Sequence, residues 1–137
     1  MKLEISPDKT LRDIKTAFTQ AWPHLKLVFF TKSHEAHTGS NAKFMIDNEN
    51  LTLAEVAPMV KGTAGLYLEQ ETPVWQLERL FEEEYGLHVQ VFRKSGTVWL
   101  ETTVSDDLTL EQQEARGKAS DRASETNIDP IDYREQD

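Results

Sequence analysis

One pattern occurs twice in this chain, at a spacing near 60 residues, and any fold must accommodate both copies. Leu3 and Ile5 match Leu66 and Leu68. At the same offset Thr10, Leu11, Ile14, Ala17, Phe18 and Trp22 fall on Pro73, Val74, Leu77, Leu80, Phe81 and Tyr85. One residue then drops out, and Leu25, Leu27, Phe29, Phe30, Lys32 and Ser33 fall on Leu87, Val89, Val91, Phe92, Lys94 and Ser95. The run from Asn48 to Leu53 parallels the run from Ser105 to Leu110. Agreement in the order of several features favours an internal duplication over two amphipathic segments that look alike by chance.

Each copy reads as strand, helix, strand, strand, helix. Residues 2–6 alternate as a short strand, and Leu11, Ile14, Phe18 and Trp22 share one helical face. Thr10 with Asp13 has the spacing of a capping box, and Pro23 ends the helix. Residues 25–31 and 44–47 are expected strands, and the polar stretch 33–43 is a loop. A brief helix starts at Thr52 with Glu55 and stops at Pro58. In the second copy, residues 65–69 are a strand, Thr72 and Pro73 open a helix, and Gly86 closes it. Residues 87–94 and 97–103 form a hairpin about Ser95-Gly96, and Thr109 with Gln112 opens a last helix.

This order predicts an α+β fold of two tandem βαββα units, about 1–61 and 64–116, in a single domain 1–116. The units are expected to share one largely antiparallel sheet of about six strands with the helices on one face. The first six elements follow ferredoxin-like order, βαββαβ. From Gly117 the chain is polar and short of apolar residues, so 117–137 is expected to be a disordered acidic tail.

With 137 residues the chain can bury a full core, and with no cysteine it has neither disulfides nor thiolate chemistry. No apolar leader or membrane-length run is present, so the expectation is a soluble, cytoplasmic protein with no membrane association. The net charge of −9, concentrated in residues 105–137, disfavours nucleic acid and anionic surfaces.

Alternation along the hairpin sends Leu87, Val89, Val91, Val98 and Leu100 toward the helices and His88, Gln90, Phe92, Trp99 and Glu101 the other way. In the first copy Val28 and Phe30 share that second face. A sheet covered on one side is expected to be polar on the other, yet this side carries Val28, Phe30, Phe92 and Trp99. Such residues mark interaction surfaces. The expected function is therefore a noncatalytic interaction module. It would bind a protein partner or a second copy of itself through Phe30, Phe92, Trp99, Val28, His88 and Gln90, with no cofactor and no small-molecule substrate.

Two other constellations define alternatives. His34, Glu35 and His37 lie in one loop and, with Asp47, suggest a metal-dependent enzyme, but the three-residue His spacing lacks the helical geometry and third ligand of a zinc site. His34 and His37 are thus metal-ligand candidates without a complete set. Order βαββαβ with aromatics on an open sheet resembles RRM domains, which implies single-stranded nucleic-acid binding. Residues 43–47, Lys-Phe-Met-Ile-Asp, depart from the Lys/Arg-Gly-aromatic core of that family. No phosphate-binding glycine motif or nucleophile elbow occurs.

Overall fold

The structure is a computed structural model and describes residues 1–32 and 42–125, with side chains to residue 121. Five strands and four α-helices are found among the described residues: β1 (Lys2–Ile5), α1 (Leu11–Ala21), β2 (Leu25–Phe30), α2 (Leu53–Val56), β3 (Ala64–Tyr67), α3 (Val74–Tyr85), β4 (His88–Ser95), β5 (Val98–Glu101) and α4 (Leu110–Glu125). A 3₁₀ turn, Ala42–Phe44, precedes α2. The fold is α+β, and all strand pairing is antiparallel.

The strands divide into two sheets, β1–β3 and β2–β4–β5, instead of the single sheet of about six expected. Both edges of β2 are occupied, so β1 has no place beside it. β4 lies on one edge, and on the other Thr31 N–H donates to Phe44 O and Ile46 N–H donates to Phe29 O. The segment expected as strand 44–47 is reduced to this contact and a single bridge between Phe30 and Met45. The ferredoxin-like order of the first half therefore lacks its third strand.

Local chemistry sets the helix ends. In α1 the Thr10 hydroxyl accepts from Asp13 N–H at 3.1 Å, while the Asp13 carboxylate accepts from Thr10 N–H at 3.0 Å, satisfying two amides the helix would leave orphaned. That hydrogen bonding holds the Asp13 carboxyl below its usual range. The same device opens α2 with Thr52 and Glu55, and α4 with Thr109 and Gln112. For α3 the cap residue is Pro73, and the Thr72 hydroxyl accepts from Glu69 N–H in the preceding turn. Gly86 ends α3 at φ 67°, a left-handed conformation that a side chain would strain.

Leu3, Ile5, Leu11, Ile14, Phe18, Leu27, Phe29, Leu66, Leu77, Phe81, Val89 and Val91 form one buried cluster between the sheets and α1 and α3. Corresponding residues of the two halves make corresponding hydrogen bonds. Leu11 and Arg12 N–H donate to Leu51 and Glu49 O, as Val74 and Trp75 donate to Leu108 and Asp106 O. Leu53 and Ala54 donate to Lys9 and Pro7 O, as Leu110 and Glu111 donate to Thr72 and Gln70 O. Across the strands, Leu3 pairs with its counterpart Leu66 and Val28 with its counterpart Gln90.

The last helix corrects the sequence reading of the tail: α4 continues past Gly117 to Glu125, and only 126–137 of the expected tail lies outside the described residues. Propensity and composition alone argued against ordering this stretch, and tertiary contacts supply the difference. His24, in the turn between α1 and β2, is held by α4 through Glu114 at Nδ1 and Asp121 at Nε2, and its N–H donates to Glu114. Ser120 donates to Lys94 O and accepts from Gly96 N–H.

Burial pulls the His24 pKa down, but the Glu114 and Asp121 hydrogen bonds and charges outweigh it, and the pKa is raised above 6.5. Lys94 lies 3.5 Å from Asp121 and is the cation facing this group from β4. A raised histidine pKa means its stabilising contribution is complete below 6.5 and lost as pH rises through the folded-state value. The protection factors of the Gly117–Ser120 amides, which correct exchange for its intrinsic base-catalysed rate at each pH, are expected to fall between pH 6 and pH 9 in the wild type. His24→Gln is expected to remove most of that dependence; equal pH dependence in both proteins would show that the clamp does not hold the helix.

Candidate interaction face

The β4–β5 hairpin turns at Gly96-Thr97, one residue later than the Ser95-Gly96 turn expected. Phe92 therefore pairs with Glu101, Arg93 with Leu100, Lys94 with Trp99 and Ser95 with Val98. The change moves each partner by two positions, and a period of two keeps every side chain on its face. Phe92 and Trp99 thus share the side of the sheet turned away from the core, although not directly opposite one another. Val98 is exposed, contrary to its expected place against the helices.

The structure distributes the six proposed contact residues by depth. Val28, Phe30 and Gln90 are buried, whereas His88, Phe92 and Trp99 are half-buried. Lys26, the strand partner of Phe92, lays its ammonium 5.8 Å from the Phe92 centroid and 4.7 Å from the Trp99 centroid. An ammonium at that distance is drawn to the ring face. Burial lowers the Lys26 pKa, Lys15 lowers it further, and Glu49 opposes both.

Beside Trp99 lies an open cleft of about 460 Å³, walled by Lys15, Thr16, Thr19 and Gln20 of α1 with Lys26 and Glu49. Glu49 accepts from Lys15 Nζ at 2.6 Å, with Arg12 3.5 Å away, and the Lys15 hydrogen bond holds its carboxyl below the usual range. Gln90 turns inward and donates to Glu78 Oε2, which also accepts from Val91 N–H at 2.9 Å. Phe30 and His88 are strand partners and line a second cleft at the opposite end of the sheet from Trp99.

Sequence reasoning missed Glu78, which lies on the buried side of α3, and missed the part of Lys26 in the aromatic face. Glu78 sits next to Leu77 in the helix, and its spacing to Val74 and Phe81 was the one signal that placed a carboxyl toward the core. His34, Glu35 and His37 lie outside the described residues. Asp47 is exposed, and among the described residues no group of three or more His, Asp or Glu side chains is arranged to hold a metal ion. No described helix is long and apolar enough to cross a membrane. No protein-family model, curated protein or solved structure matches this chain.

Proposed function

We propose that this protein is a noncatalytic interaction module of the cytoplasm that engages a protein partner, or a second copy of itself, through the sheet face of Phe92 and Trp99. The observation that carries the reading is the stack of Lys26 on two half-buried aromatic rings beside an open cleft. Tryptophan with aromatic neighbours is the chemistry most enriched where partners contribute binding energy. Lys26 is already partly stripped of water, so a partner would pay less to cover it. Val28, Phe30 and Gln90, on the neighbouring positions of the same sheet, are buried.

Trp99→Ala and Phe92→Ala are each expected to leave the circular dichroism spectrum intact. Each should lower the mass measured by light scattering from that of a dimer, or weaken capture of a cross-linked partner at least ten-fold. A mass and a partner profile identical to wild type in both variants would remove the proposal.

A further inference from the structure

We propose that the cleft at Phe30 and His88 is a receptor for an arginine side chain of a partner protein. Matching hydrogen bonds fix which residues of the two halves correspond. Ile46 N–H donates to Phe29 O as Thr102 N–H donates to Val91 O, so Thr31 stands where Arg93 stands in the other half. Leu53 N–H donates to Lys9 O as Leu110 N–H donates to Thr72 O, so Val56 stands where Gln113 stands. In the second half Arg93 and Gln113 are buried together, with Arg93 Nη1 donating to Gln113 Oε1 at 3.2 Å. In the first half their counterparts are the shorter Thr31 and Val56, and both line an open cleft of about 290 Å³. The group missing from the first half is a guanidinium.

The walls suit that group. Phe29, Phe30 and Leu87 offer apolar and aromatic surface for a planar cation and its aliphatic stem, and Glu55 stands at the lip. Glu55 Oε2 is engaged with Thr52 N–H, so the carboxylate is held in place. His88 also lines the cleft, and its Nδ1 is buried without a hydrogen-bond partner among the described residues, 3.8 Å from Glu82 Oε1. The Glu55 carboxylate complements a five-donor cation, and the chain's net charge of −9 attracts it at longer range. The site shares no wall residue with the cleft at Trp99, so this proposal and the one above stand or fall separately.

The test is a titration of the isotope-labelled full chain with N-acetyl-arginine amide, with N-acetyl-lysine amide as the comparison. Saturable shifts of the Thr31, Val56, Leu87 and His88 amides are expected, with at least ten-fold weaker binding of the lysine compound. Thr31→Arg combined with Val56→Gln rebuilds the buried pair inside the cleft and is expected to abolish the shifts. Glu55→Gln keeps a capping acceptor but removes the charge, and should weaken binding several-fold. Shifts that do not appear, do not saturate, are matched by the lysine compound or persist in a folded double variant overturn the proposal. Should the double variant fail to fold, the arginine-lysine comparison and Glu55→Gln decide it.

Discussion

Glu78→Gln is expected to stabilise the protein by about 3 kcal/mol at pH 9 while changing its stability little at pH 4. Burial pushes the Glu78 pKa from 4.5 to about 8, Asp106 and Glu101 add to the rise, and the Val91 N–H opposes it. The folded chain therefore holds a proton that the unfolded chain releases near pH 4.5. The stability this contributes is complete below pH 4.5 and lost as pH rises through about 8. At roughly 1.4 kcal/mol per unit of pKa the full effect approaches 5 kcal/mol, and local relaxation and water entry around the ion reduce it to about 3. Glutamine keeps an oxygen for Val91 N–H and cannot ionise. Urea unfolding of both proteins at pH 4, 6.5 and 9 measures the difference directly. The His24 contribution is common to both and cancels. Curves that stay parallel from pH 4 to 9 would show that Glu78 does not retain its proton.

Gly117→Ala is expected to cost about 2 kcal/mol and to loosen α4, against the ordinary rule that alanine improves a helix. Propensity alone favours the change by about 1 kcal/mol. A Cβ at residue 117 would lie 2.5 Å from His24 Cβ and 3.3 Å from His24 O. His24 has little freedom to yield, since Glu114 and Asp121 hold its ring, its N–H donates to Glu114 and its carbonyl accepts from Lys94 N–H at 2.9 Å. Overpacking a site whose neighbours are fixed costs about 1–3 kcal/mol, and here it meets backbone as well as side chain. Gly62→Ala is the control, because a Cβ there meets nothing within 4 Å, and it should fall within about 0.5 kcal/mol of wild type. A Gly117→Ala protein as stable as wild type would show that α4 does not pack closely on His24 at this position.

The chain order of the elements apart from the expected strand 44–47, the capping boxes at Thr10, Thr52 and Thr109, and the sharing of one face by Phe92 and Trp99 were legible in the sequence. They depend on residues a few positions apart. A capping box needs a hydroxyl and a carboxyl or amide at three-residue spacing, and a strand's facing needs only its alternation. For the same reason the hairpin could shift its turn to Gly96-Thr97 and still show Phe92 and Trp99 on one side. The split into two sheets was not legible, because it depends on which edge of β2 each distant segment reaches. The depth of the aromatic face was also hidden, since periodicity gives a side and not what lies over it.

Sequence alone determined the local geometry of this protein, because hydrogen bonds within a turn and the period of each element act over a few residues. Tertiary structure decided that Glu78 is buried beside Gln90, that Lys26 lies on Phe92 and Trp99, and that α4 runs on past Gly117 against His24. In each case the deciding energy is removal from water or pairing across a long stretch of chain. That energy exists only once the partners meet.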